Sequence, residues 1–168
     1  MRIIYTTTDC SLGRLLVAAT ERGVCSVALG DSDAKLVAAL FAEYPNASID
    51  SKDTTISPSL NIWLHEVLKL IAGKTPHADL PLDVQATAFQ WQVWEELRRI
   101  PRGTTRSYQD VAEAIGKPKA VRAVARACAS NHVALVIPCH RVIREDKGLG
   151  GYRWGMERKR KLLKQEAV

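Results

Sequence analysis

Two rhythms of apolar spacing divide the chain. From Ile3 to Leu29, the runs "RLLVAAT" and "GVCSVALG" flank a short polar "ERG", which predicts an antiparallel hairpin with a tight turn. Beyond it the spacing lengthens. "DAKLVAALFAEY" and "SLNIWLHEVLKLIAG" carry apolar residues three and four apart, the second through Leu60, Leu64, Val67, Leu68 and Ile71. This predicts two helices, the second stopping at Gly73. The segment "KTPHADLPLDVQ", with two prolines, reads as the connection to a second region.

That region opens with "TAFQWQVWEELRRIP". Thr87 and Gln90 have capping-box spacing, and Phe89, Val93, Trp94, Leu97 and Ile100 share one helical face before Pro101 ends it. In "SYQDVAEAIGKPKAVRAVARACASN", Tyr108, Val111, Ala112 and Ile115 predict a short helix and Gly116 a turn. Pro118 is the expected first position of another helix, with Val121, Val124, Ala125 and Cys128 inward. Helix, turn and helix span about 107–128. The predicted class is α/β: a small amino-terminal sheet-plus-helix subdomain over 1–80, then a mainly helical domain over 81–168. No internal repeat or low-complexity tract interrupts this order.

Charge separates the same two regions. The net charge of +6 conceals seven Lys/Arg against twelve Asp/Glu in 1–97, and seventeen against six in 98–168. A basic half of this kind fits a polyanion, nucleic acid above all, with a solvated basic face as the plain alternative. Lys119, Arg122 and Arg126 recur at spacings of three and four, and Ala123 and Ala127 stand between them. The cations suit phosphates, and the small alanines permit close approach of the helix backbone.

No run approaches the ~18 apolar residues that cross a bilayer, and "MRIIYTTTDC" lacks the apolar stretch of a signal peptide. The expectation is a protein of the reducing cytoplasm, or of a nucleus, with free thiols. Its cysteines are Cys10, Cys25, Cys128 and Cys139. Cys25 and Cys128 read as small core residues, and Cys10 has no chemical neighbour in sequence. Cys139 differs, because "IPCHRV" sets it between Pro138 and His140 after the apolar run Val133 to Ile137. That run predicts a buried strand delivering the thiol into a pocket.

Three readings of the pair are open: a structural cysteine, a metal-ligand pair, or a nucleophile with its base. Adjacent residues without further Cys/His spacing grip zinc poorly, so no metal is expected. As a nucleophile, a thiol of pKa about 8.5 needs activation. Successive side chains of extended chain point apart, so His140 would act through a water, with a distant carboxylate holding its other nitrogen.

The order "SYQDVAEAIGKPKAVRAVARACASN", "PCHRVI", "GGYRWG", "LLKQEA" resembles the O6-alkylguanine-DNA alkyltransferases, on the pattern of the carboxy-terminal domain of bacterial Ada proteins. The resemblance is most specific from Thr87 to Glu166 and extends more loosely through "DCSLGRLLVAATERGVCSVALGD". It implies repair of O6-alkylguanine, and of O4-alkylthymine, by irreversible transfer of the alkyl group to the protein's own cysteine after base flipping. On that resemblance Cys139 is the acceptor, His140 the water-linked base, Glu166 its orienting carboxylate, and Tyr108 the donor toward guanine N3. Arg122 enters the duplex in place of the rotated nucleotide, Asn131 braces the turn before the active-site segment, and Val142, Tyr152, Arg153 and Trp154 line the lesion pocket. Double-stranded DNA bound through the minor groove without sequence specificity, a monomeric state and no cofactor are implied as well.

Other classes compete. A non-catalytic damage binder would share the DNA surface but lacks the cysteine of this motif. A transcription regulator leaves Tyr108, Cys139, His140 and Glu166 unemployed. A cysteine hydrolase explains thiol and imidazole without the basic helix.

Overall fold

The computed structural model describes residues 1–51 and 58–167. It divides into two compact units, Met1–Val84 with His132–Val136, and Gln85–Asn131 with Ile137–Val168.

In the first unit, β1 (Arg2–Cys10), β2 (Gly13–Ala19) and β3 (Val24–Gly30) form an antiparallel meander, and β4 (Ser48–Ser51) adds parallel to β1, giving the order β3-β2-β1-β4. The hairpin read from the sequence is β2–β3. β1 and β4 complete its sheet, and β4 could not be read because "SIDS" has too few apolar residues to alternate. Gly23 is required at the hairpin end. A Cβ there would lie 2.6 Å from the Pro81 carbonyl oxygen, which accepts from Val24 N–H at 2.9 Å. The helices α1 (Asp33–Glu43) and α2 (Pro58–Ile71) lie where periodicity put them. Leu36 and Leu40 of α1 bury against Ile3, Leu16, Ala18 and Cys25, while α2 contacts β1 and β2.

The run Val133 to Ile137 is buried, but it is not the expected strand. Val133 and Ala134 reach β3 through a single bridge, Leu135 turns the chain with φ +72°, and Val136 N–H bonds back to Ala134 oxygen at 2.7 Å. Unbroken hydrophobicity marks burial and does not fix backbone direction. A leucine held at positive φ is a position that only its surroundings can impose.

The second unit packs α3 (Ala88–Arg98), α4 (Tyr108–Ala114) and α5 (Val121–Ala129) on one another. Thr87 and Gln90 form the reciprocal capping box at the start of α3. A second box, Ser107 with Asp110, starts α4. Trp94, fully buried, donates from its indole to the Ala127 oxygen at 2.8 Å and so ties α3 to α5. Gly116, φ +76°, ends α4. Pro118 then sits in a turn closed by Ala120 N–H to Lys117 oxygen, and α5 begins only at Val121. The fixed φ of proline serves the second position of a turn as well as a helix start, which is why the sequence misplaced this boundary. Lys119 therefore precedes α5 rather than riding on it. The short parallel pair β5 (Arg106–Ser107) and β6 (Val142–Ile143) and the helix α6 (Met156–Glu166) close the unit.

Candidate active site

Cys139, His140 and Arg141 form a single 3-10 turn that enters β6. Because a 3-10 turn spaces neighbours by about a third of a revolution, Cys139 and His140 diverge without being extended. Cys139 is 5% exposed and His140 1%. Pro138 precedes the turn and accepts from Arg141 N–H at 3.0 Å.

Asn131, wholly buried, ends the α5 region and holds this turn. Its Nδ2 donates to Ile137 oxygen at 2.9 Å and to Cys139 Sγ at 3.3 Å. Its carbonyl in turn accepts from Arg153 Nη1 at 3.0 Å. Burial raises the Cys139 thiol above its ordinary pKa and outweighs the Asn131 bond, Lys159 and Arg153, which pull it down.

His140 Nε2 lies 2.8 Å from Glu166 Oε1. Burial pushes Glu166 up, yet the bonds from His140 and Arg141 outweigh it and hold the carboxyl at about 2. An ionised carboxylate only accepts, so Nε2 carries the proton and a neutral His140 presents Nδ1 as a bare lone pair. Nδ1 is buried with no hydrogen-bond partner among the described residues. The imidazole is itself held below its ordinary pKa, by burial first and by Arg141 and Lys159 in addition, against the pull of Glu166.

One wall of the site is aromatic. The Tyr152 ring meets His140 edge-on at 6.4 Å, and Trp154, 8% exposed, meets Tyr152 edge-on at 5.3 Å. The Arg153 guanidinium lies 5.6 Å from the Trp154 ring centre. Tyr108 is half-buried at the start of α4. Gly150 fits against it because a Cβ there would lie 2.8 Å from its hydroxyl. Burial, with Cys128 and Cys139 adding, lifts this phenol to about 12, so it keeps its proton at neutral pH.

Arg122 and Arg126 are exposed on α5, and Ala123 is half-buried beside them. Ala127 belongs elsewhere. It is 2% exposed and faces the core with Val124 and Cys128, so it is no part of an exposed basic face. Its spacing of three from Val124 puts it on the inward stripe of a 3.6-residue helix.

Two residues of the site went unassigned in the sequence. Arg141 donates through Nε and Nη2 to both Glu166 oxygens, at 3.0 and 2.9 Å, and through Nη1 to Ile100 oxygen at 2.8 Å. Lys159 is fully buried and donates to the oxygens of Val142 at 2.7 Å and Gly151 at 3.1 Å. It thereby fastens Val142 to the segment that leads into Tyr152 and Trp154. A signal was present for Lys159: Lys159, Leu162 and Glu166 recur at three and four on the buried face of α6. Charges on such a stripe are buried with partners or not at all. No group of three or more metal-ligating side chains occurs among the described residues.

The buried carboxylate has a stability consequence. Glu166 falls from its ordinary 4.5 to about 2 on folding, so its contribution is fully present above pH 4.5 and is lost as the pH drops toward 2. The shift corresponds to on the order of 3 kcal/mol. Unfolding free energies of the wild type should decline across this window, and those of Glu166→Gln should decline less.

The comparisons with known proteins concern both units. The chain matches the family described as 6-O-methylguanine DNA methyltransferase, ribonuclease-like domain, over residues 3–84, and as 6-O-methylguanine DNA methyltransferase, DNA binding domain, over residues 88–168. It is 50% identical over 167 residues to the bifunctional transcriptional activator/DNA repair enzyme Ada of Escherichia coli, covering 99% of this chain and 46% of that protein. This chain thus spans about half the length of the Ada relatives it matches. It is 35% identical to the constitutive methylated-DNA–protein-cysteine methyltransferase of Bacillus subtilis, covering 88% of this chain and 85% of the relative. Among solved structures, that of Mycobacterium tuberculosis OGT in complex with DNA is similar with a TM-score of 0.79 and 31% identity, over 98% of this chain and 92% of that one. With both units matched in order and relatives above 30% identity aligned along most of the chain, this protein belongs to the 6-O-methylguanine DNA methyltransferase family.

Proposed function

We propose that the protein repairs O6-alkylguanine, and O4-alkylthymine, in double-stranded DNA by moving the alkyl group onto Cys139. The observation that carries this reading is the buried Cys139 beside a His140–Glu166 pair, in the same compact unit as the basic helix α5. The lesion oxygen lies within the stacked duplex, so the damaged nucleotide must leave the helix to meet a thiol that is 5% exposed. Arg122, exposed on α5, occupies the space so vacated, while Lys119 and Arg126 neutralise phosphates and Ala123 lets the helix approach the minor groove. The protein acts as a monomer without sequence preference, in the cytoplasm.

In the pocket His140 Nδ1 accepts the Cys139 proton through a water. The thiolate attacks the alkyl carbon, the C–S bond forms as the C–O bond breaks, and the electron pair leaves on guanine O6. Tyr108, which keeps its proton at neutral pH, donates toward guanine N3 and offsets the charge developing on the base. Asn131 and Lys159 favour the anionic sulfur before attack. A thioether is a poor leaving group, so each molecule acts once. With excess labelled-methyl duplex, transfer should stop at one methyl group per protein chain; continued turnover would reject the single-use mechanism.

Trp154 sets the size of the group accepted. Its indole stands one ring removed from His140, and an overfilled site costs ~1–3 kcal/mol, about ten- to a hundredfold in rate when felt at the transition state. Free O6-benzylguanine should therefore inactivate the protein poorly, and Trp154→Gly should improve benzyl transfer more than methyl transfer. An unchanged benzyl-to-methyl rate ratio in a folded variant would remove Trp154 from the pocket wall.

A further inference from the structure

Arg141 is 5% exposed and has no part in the chemistry described so far. Its fork holds both oxygens of Glu166, and its remaining arm is fixed by the Ile100 carbonyl, so it is anchored independently of the site. Glu166 Oε1 accepts from Arg141 Nη2 at 2.9 Å and from His140 Nε2 at 2.8 Å. One carboxylate oxygen therefore serves two donors. We propose that Arg141 is a positioning residue that tunes the base: by sharing Glu166 Oε1 it keeps His140 neutral, with its proton on Nε2 and Nδ1 free to accept.

A buried carboxylate facing an imidazole alone raises its pKa, as an opposite charge within hydrogen-bond reach does. His140 would then be protonated near neutrality and unable to accept a proton. The bidentate guanidinium compensates that charge while leaving the hydrogen bond that orients the ring. The titratable and charged groups around His140 are Glu166 and Lys159 from α6, Arg141 from its own turn, and the Tyr152 ring. Burial, Arg141 and Lys159 disfavour the imidazolium, and Glu166 alone among the charged side chains favours it. Glu166, with both oxygens bonded, stays ionised and does not take the proton onward. The proton leaving Cys139 stops on His140.

The inference rests on the transfer reading above, and the test separates the two. Single-turnover rates on an O6-methylguanine oligonucleotide are measured from pH 5 to 9, about the range in which histidine titrates, together with nitrogen-15 NMR of His140 in the unreacted protein. The wild type should show a neutral imidazole protonated on Nε2 at neutral pH, and an acid limb below 6.5, the ordinary histidine value. Arg141→Met should move that limb up by about one pH unit, and Glu166→Gln should move it down. Arg141→Lys, which keeps a charge but not the fork, should return the limb toward the wild-type position at a lower plateau rate. A folded Arg141→Met that lowers the plateau with the limb unmoved would overturn the proposal. So would a wild-type His140 that is protonated on Nδ1 or doubly protonated at neutral pH, a measurement that does not depend on any variant folding. Absence of methyl transfer with the neutral Nε2–H form in place would sink the repair reading and leave the proton assignment standing.

Discussion

Replacing Cys139 by alanine should abolish methyl gain and leave binding to alkylated duplex DNA intact. The two other buried thiols, Cys25 and Cys128, are poor substitutes. Cys25 is buried in the sheet of the first unit and pushed up to about 12, by burial first and by Asp83 and Glu43 in addition. Cys128 is pushed up by burial and by the neighbouring Cys139. Burial raises Cys139 as well, and the thiolate is the nucleophile, so what sets Cys139 apart from Cys25 and Cys128 is the means of activation: the Asn131 donor on its sulfur and His140, bonded to Glu166, at the next position. Neither has the His140–Glu166 pair. The exposed cations Arg122 and Arg126 on α5 are untouched by the substitution, so a gel-shift or fluorescence titration should give wild-type affinity within about twofold, the difference of some 0.4 kcal/mol. Loss of binding along with loss of transfer would mean that the variant is misfolded or that Cys139 contributes to the DNA surface. Transfer to the variant would place the acceptor elsewhere.

The next largest effect falls on extrusion. Arg122→Ala should slow repair of duplex DNA about thirtyfold while leaving reaction with free O6-methylguanine within about twofold. Unstacking and unpairing a nucleotide costs a few kcal/mol, and loss of about 2 kcal/mol of compensation gives that factor. The free base has nothing to extrude. Lys119→Ala, in the turn before α5, should weaken binding across sequences and reduce the salt slope by about 1 for one lost phosphate contact. Equal losses by Arg122→Ala on duplex and free base would reject the extrusion role.

How far the sequence reached depended on what kind of signal each element carries. Periodicity reported α1, α2, α3 and α4 because their buried faces recur every three or four residues, and the Thr87–Gln90 box marked a helix start that side-chain chemistry alone determines. It failed at Val133 to Ile137, where every residue is buried and no alternation exists to tell strand from turn. The left-handed Leu135 is set by its surroundings, and nothing in a leucine announces it. It misjudged Ala127 because alanine is equally at home inside and outside, so its face follows from the neighbours at 124 and 128. The candidate site residues were named through the resemblance, which added Glu166 and Tyr108 to Cys139 and His140; the structure bonds Glu166 to His140. Lys159 stood on a readable stripe, but its partners are the backbone carbonyls of Val142 and Gly151, which no residue type announces; Arg141 was passed over because its pairing with Glu166, 25 residues away, exists only in the fold.

In the proposed reaction an alkyl group leaves DNA and remains on one side chain of this protein. Intact-protein mass spectrometry after incubation with a duplex bearing a single O6-methylguanine, followed by peptide mapping, reads this directly. A gain of one methyl group per chain is expected, carried by the peptide containing Cys139, with unmodified guanine restored in the DNA. An unchanged protein mass alongside repaired DNA, or a methyl group on Cys10, Cys25 or Cys128 with Cys139 unmodified, would contradict it.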